Sequence, residues 1–147
     1  MKQAVIFVWQ YIVAVTLLFV CALALHFWPA SWWFDVRSIS VASGLVSEKL
    51  AMTVDRTIKR PFVAGWSVTL RQWDGGWVVV CRATGDGDYR LDAKFPTNLT
   101  LAWWTANQCH PLPPGKYMLS TTWTIRGLGI IPDKIVQATS NTFEITN

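Results

Sequence analysis

The sequence predicts an all-β body, a β-sandwich of about seven or eight strands, preceded by one N-terminal transmembrane helix. Three observations predict this. The stretch from Ala4 to Trp28 holds no charged residue, and only Gln10, Thr16 and His26 in it are distinctly polar. Beyond it no helical periodicity continues. Instead, short runs rich in Val, Ile, Thr, Trp and Phe alternate with Gly, Pro, Asn and Asp, roughly every 10–15 residues, which is a strand pattern.

About 20 apolar residues span a bilayer core of roughly 30 Å, so the first run is long enough to cross with some tilt. In lipid a backbone must satisfy its own hydrogen bonds, which makes the run helical. Residues 1–28 are therefore read as an anchor. The Met1 amine and Lys2 precede it, and no Lys or Arg follows until Arg37. Positive charge favours the cytoplasmic side, so the N-terminus is expected inside and the rest outside, in the periplasm if the cell is bacterial. Residues 29–35 form an aromatic linker, in which Trp32 and Trp33 join Trp28 at the headgroup level of the outer interface. The competing reading is a cleaved signal peptide, since Ala22-Leu23-Ala24 fits a cleavage site. The apolar stretch before that site is longer than a usual signal core, which favours the retained anchor.

Residues 36–147 make one exported domain of ordinary size. The chain has 13 Lys and Arg against 9 Asp and Glu; removing Lys2 leaves 12 basic residues against the same 9 acids. That excess is mild and dispersed, so no nucleic-acid partner is expected. Arg56, Lys59 and Arg60 are the only local basic cluster and read as a solvated turn. Cys21 lies in the apolar run. Cys81 and Cys109 lie in the exported part, where disulfides persist, and are expected to pair. The loop they close should contribute about 3 kcal/mol.

The strand candidates are Phe34–Ala42, Lys49–Ile58, Phe62–Trp73, Trp77–Thr84, Arg90–Phe95, Thr97–Thr105, Lys116–Arg126 and Lys134–Thr146. In Phe62–Trp73 the apolar face is Phe62, Ala64, Trp66, Val68 and Leu70. In Trp77–Thr84 it is Trp77, Val79, Cys81 and Ala83. A two-residue turn at Asp74-Gly75 sets Leu70 against Val79, Val68 against Cys81 and Trp66 against Ala83. A one-residue slip would turn side chains to the wrong face, and Asp-Gly is a preferred pair for such a turn. In the last strand Val136 and Ala138 are out of phase with Phe143 and Ile145, which places a bulge at Ser140-Asn141-Thr142.

In Lys116–Arg126, Tyr117, Leu119, Thr121, Trp123 and Ile125 share one side. Gly115, Tyr117 and Leu119 match the Gly-x-Tyr-x-apolar entry of the penultimate strand in immunoglobulin-like and fibronectin-like sandwiches, which the chain resembles here. The resemblance implies that the Tyr117 hydroxyl bonds backbone at the corner between strands. Leu119 stands where an antibody domain has Cys, so the antibody-type inter-sheet disulfide is not reproduced.

Signals for chemistry are thin. Asp86-Gly87-Asp88 with Asp92 lacks the remaining ligands of a calcium loop and reads as a polar hairpin turn. His110 is the sole exported histidine, too few ligands for a structural zinc. It adjoins Cys109, a poor geometry for a nucleophile pair. Gly75-Gly76 lacks the Lys and helix of a phosphate loop. No catalytic, metal or cofactor residue is assigned, and the protein is read as a non-enzyme. Exposed aromatics are the better lead. Trp103 and Trp104, adjacent on a strand, would face opposite sides. Together with Trp73 they are candidate interface residues. The expected role is a membrane-tethered interaction module, with the lipid bilayer and an envelope or virion protein as partners. In form the chain resembles small accessory proteins of bacteriophages or bacterial envelopes. Gln10 in the helix could support a homo-oligomer. The alternatives are a secreted domain that binds sugar or protein through its aromatics and, third, an envelope hydrolase.

Overall fold

The computed structural model describes residues 2–127 and 131–147. Met1 and the Lys2 side chain, on which the expected orientation rests, lie outside this description. The chain opens with α1 (Lys2–His26), followed by a 3-10 turn at Ala30–Trp32. Its segment Ile6–His26 is long and apolar enough to cross a membrane, and no other described helix is. Seven strands follow: β1 (Phe34–Val41), β2 (Gly44–Leu45), β3 (Met52–Ile58), β4 (Phe62–Trp73), β5 (Trp77–Tyr89), β6 (Gly115–Ile125) and β7 (Lys134–Thr146). A short helix α2 (Leu101–Trp104) lies between β5 and β6. The body is thus mostly β-sheet, as the sequence predicts.

The strands form one sheet in the order β3-β1-β7-β6-β4-β5, with β2 beside β7. In that order β1 is separated from β4 by two strands. Yet the Phe34 ring of β1 lies 5.3 Å from Phe62 of β4, 5.8 Å from Tyr89 of β5 and 5.1 Å from Trp123 of β6. The sheet therefore curls until its inner faces meet. Phe34, Val41, Val68, Leu70, Tyr117, Leu119, Trp123 and Phe143 fill the interior. Tyr117 is wholly buried, and its hydroxyl donates to the Pro113 carbonyl at 2.7 Å, the corner bond expected of it.

The curl turns on a bulge in β7. Met118 faces Thr142 and Ser120 faces Thr139, so β7 carries one extra residue there. The position agrees with the parity break in the sequence. A bulge withdraws a ladder acceptor, and the Ser140 hydroxyl replaces it by accepting from the Leu119 N–H at 3.0 Å. The displaced Asn141 reaches β1 instead. Its Oδ1 accepts from the Val41 N–H at 2.8 Å, and its Nδ2 donates to the Val41 carbonyl at 3.0 Å. The only ladder pair between β1 and β7 is Ile39 with Ser140, in parallel.

Four local expectations need correction. The β4–β5 hairpin does not use a two-residue turn. Trp73 faces Trp77 across Asp74-Gly75-Gly76, and Gly75 takes a φ of +68°. That loop alone would set Val68 against Arg82. A second irregularity between Leu70 and Arg71 restores the parity, so that Leu70 faces Cys81 and Val68 faces Ala83. Phe62, Ala64, Val68, Leu70 and Ala83 are buried on the predicted face, but a bulge rather than the turn secures it. Val79 falls before the bulge and is exposed.

Asp86-Gly87-Asp88 is not a turn, because β5 runs on to Tyr89 paired with Phe62–Gly65. An ion pair from Arg126 to Asp86 steadies this extension. Arg90–Phe95 is not a strand, and Thr97–Thr105 contains α2. Thr100 caps α2 by accepting from the Trp103 N–H at 3.3 Å, as a short hydroxyl side chain does at a helix start.

Replacing Asn141 by Ala should lower the stability of the body by about 1–3 kcal/mol, since both Val41 backbone groups lose their partner. Thermal or urea unfolding of the full chain in detergent measures it.

Candidate functional site

The inner faces do not meet everywhere. Where β4, β5 and β6 are covered by β3, α2 and the loop before it, a cleft of about 540 Å³ stays open. Its walls are aromatic: Trp66, Tyr89, Phe95, Trp103, Trp104 and Trp123. Arg56, Asp88, Asn107 and Thr121 supply the polar groups. Such a volume is in the range of small-ligand sites.

Several local devices shape it. Trp66 faces Gly85 across the ladder, and a Cβ on Gly85 would come within 2.5 Å of the Trp66 ring. Glycine there lets the indole lie flat over the β5 backbone. At Gly87 the same atom would come within 2.9 Å of the Tyr89 ring. Trp104 donates from Nε1 to the Thr121 hydroxyl at 2.9 Å, and Trp123 donates from Nε1 to the Tyr89 hydroxyl at 3.1 Å. These bonds satisfy the indole N–H groups and fix the ring orientations.

The covering loop is held by a disulfide between Cys81 and Cys109, the predicted pair, with Cα atoms 5.8 Å apart. Beside it the Gln108 amide acts like a strand residue. Its Oε1 accepts from the Thr84 N–H at 3.2 Å, and its Nε2 donates to the Thr84 carbonyl at 3.0 Å. Together these close the outer edge of β5 from Cys81 to Thr84.

Arg56 was read as part of a solvated turn, but its guanidinium lies 3.7 Å from the centroid of Phe95 and 5.6 Å from that of Tyr89. Burial holds its pKa below the ordinary arginine value, and the Tyr89 oxygen opposes this weakly. Burial likewise raises the Tyr89 phenol, against the Trp123 hydrogen bond and the nearby Arg56 charge. Lys59 and Arg60 are also engaged. Lys59 donates to the Ser31 carbonyl at 2.9 Å, and Arg60 stacks 4.1 Å over Trp32.

The candidate tryptophans separate into two places. Trp103 is 53% exposed at the cleft rim, while Trp104 is 7% exposed and forms its inner wall. They do not alternate across a strand. They follow one another on α2, with ring centroids 6.4 Å apart, and both pack on Phe95. Trp73 is 49% exposed at the far tip of the β4–β5 hairpin, 5.3 Å from the Trp77 ring. Of the linker tryptophans, Trp28 and Trp32 pack edge to face at 3.9 Å, whereas Trp33 packs on the core of the body.

Sequence reading missed Arg56, Trp66, Tyr89 and Phe95 as members of one site. The available signal was the alternation Gly85-x-Gly87-x-Tyr89, which marks a strand over which rings can lie. His110 opens instead on a separate cavity of about 110 Å³ with Glu48 and Lys49. Among the described residues no three His, Cys, Asp or Glu side chains gather as metal ligands do.

None of the family models, characterised proteins or solved structures compared with the chain gives a match.

Two outcomes are expected. Opening the disulfide with Cys81→Ser and Cys109→Ser should cost about 3 kcal/mol of stability and increase quenching of Trp103 and Trp104 by acrylamide. The Tyr89 phenol sits above its unfolded value of about 10, so its contribution to stability is full below that pH. It is lost as the pH rises through the folded value. In denaturant titrations above pH 10, Tyr89→Phe should lose less stability with rising pH than the parent chain.

Proposed function

We propose that the protein is a non-enzymatic interaction module with an immunoglobulin-like body. A single-pass anchor with a cytoplasmic N-terminus holds it at the extracytoplasmic face of a membrane. The body engages an envelope or virion protein there. The observation that carries the reading is the distal end of β5. Val78, Val79 and Val80 are exposed there, on the last strand in the sheet order, and Trp73, which ends the neighbouring β4, is exposed beside them. The cover that Cys109 and Gln108 give this edge begins at Cys81, so among the described residues the apolar stretch before it has none.

An uncovered edge with apolar side chains is a template for an added strand. We assign it to an extended segment of the partner, with Trp73 as the anchoring side chain. The place suits a reach away from the membrane. Phe62 packs on Phe34 near the linker, and Trp73 closes the other end of β4. At about 3.3 Å per residue the tip stands roughly 36 Å from the linker end.

Other features support the anchored, exported state. The Trp28–Trp32 pair flanks the apolar helix as an interfacial belt would. The Cys81–Cys109 bond suits an oxidising compartment. The Tyr117 corner supports the immunoglobulin-like assignment.

The test is a photo-crosslinking residue at Val79 in the full chain, in native membranes, with one at Ile135 as control. A single discrete adduct is expected at Val79 and none at Ile135. Val79→Lys should reduce partner recovery on the order of ten-fold, the equivalent of about 1.4 kcal/mol, with unfolding unchanged. Equal adducts at both positions, or a C-terminal tag digested only after the cytoplasm is opened, would overturn the reading. Release of the chain by a carbonate wash would favour the cleaved, secreted domain instead.

A further inference from the structure

We propose that the aromatic cleft binds an acidic sugar, with Arg56 pairing the carboxylate and the indole and phenyl faces covering the ring. This site lies apart from the β5 tip and does not depend on the partner assigned there.

Arg56 is the starting observation. Arg37 pairs with Asp55, Arg90 with Asp88 and Arg126 with Asp86. Arg71 donates to the Ser120 hydroxyl. The Arg56 side chain makes no ion pair or hydrogen bond to any described residue. One face of its guanidinium is spent on Phe95, and its N–H donors remain free at a cleft wall. Half-burial of a cation without an ion partner carries a cost, of which an aromatic face returns only about 0.5–2 kcal/mol. A carboxylate supplied by a ligand would complete the site, because it meets the guanidinium fork with two parallel bonds.

The rest of the cleft argues for a sugar ring behind that carboxylate. Trp66, Trp103 and Trp104 offer broad faces, which suit the C–H face of a pyranose. Asp88, Asn107, Tyr89 and Thr121 add acceptors and donors among them, as a ring bearing several hydroxyls requires. Thr121 and Tyr89 each accept one indole N–H and keep further hydrogen-bonding capacity, which a plain hydrocarbon would not use. Charge also sets the direction of binding. Asp88 is already paired with Arg90, so Arg56 is the cleft's cation without an ion partner and the acid lies on its side, with the hydroxyls toward Asp88.

The probe is trigalacturonate, titrated into the full chain in detergent micelles and followed by tryptophan fluorescence. Neutral galactotriose and indole-3-acetate serve as comparisons. Saturable quenching by trigalacturonate is expected, at least about ten-fold tighter than by galactotriose. Arg56→Met should remove that preference, and Trp103→Ala should weaken trigalacturonate binding while the Cys81–Cys109 bond stays intact. Arg56→Lys keeps the charge and the fold but not the fork, and should bind with intermediate strength. No saturable quenching by trigalacturonate would overturn the proposal. So would equal binding of galactotriose, equal binding of indole-3-acetate, or trigalacturonate binding that Arg56→Met and Arg56→Lys both leave unchanged. Val79→Lys should leave trigalacturonate binding unaltered, which separates failure of this site from failure of the partner surface.

Discussion

Everything in the body depends on how β7 changes neighbours at Ser140 and Asn141. Before that point β7 is an ordinary partner of β6. At the bulge one residue is surplus, and the ladder would leave the Leu119 N–H unpaired inside the core. The Ser140 hydroxyl absorbs that loss. The Asn141 side chain turns the other way and supplies both an acceptor and a donor to Val41. One short stretch thus satisfies two strands that could not both pair with a regular β7. The curl follows from it, since β1 joins β7 through one parallel pair and one amide rather than a long ladder. Such a hinge lets β1 and β3 fold over until Phe34 reaches Phe62 and Trp123.

A sheet closed this way has two weak places, and the chain treats them differently. One is the side cleft, where the two faces diverge. Large rings line it, held by the Trp104 and Trp123 hydrogen bonds and seated over Gly85 and Gly87. The other is the outer edge of β5. There the Cys81–Cys109 bond and the Gln108 amide cover the stretch from Cys81 to Thr84. The loop from Thr105 to Cys109 therefore has a double duty. Its outer side closes the edge at Thr84, and its inner side, with Asn107, lines the cleft. A change in that loop must be felt in both places.

Much of this was legible in the residues, and the failures have physical causes. The apolar run, the cysteine pair, the Tyr117 corner and the β7 bulge are local signals, or need only parity. The hairpin shows the limit of parity. It identifies the buried face, because Leu70, Val68 and Ala83 must point inward. It does not say whether a short turn or a longer loop with a bulge satisfies that demand. Thr97–Thr105 is rich in β-formers, yet Thr100 caps a helical turn, and tertiary context overrides the propensity. The cleft was hidden for a different reason. Arg56, Trp66, Tyr89, Phe95 and Trp103 come from separate elements, and only the curl brings them together.

The misread basic cluster carries the last step. Arg56, Lys59 and Arg60 look alike in sequence, as a run of charge at a strand end. In the fold each is drawn to a different place. Lys59 and Arg60 face the linker, where the Ser31 carbonyl and the Trp32 ring receive them. Arg56 is the one of the three that lies within β3, paired with Val36. Its side chain therefore crosses onto the inner side, over Phe95. A solvated arginine would need no such ring beneath it. The difference is set by strand register, which sends neighbours of like charge to unlike surroundings. A half-buried guanidinium over Phe95 and Tyr89, with no ion pair to a described residue, is complementary to an anion that enters the cleft.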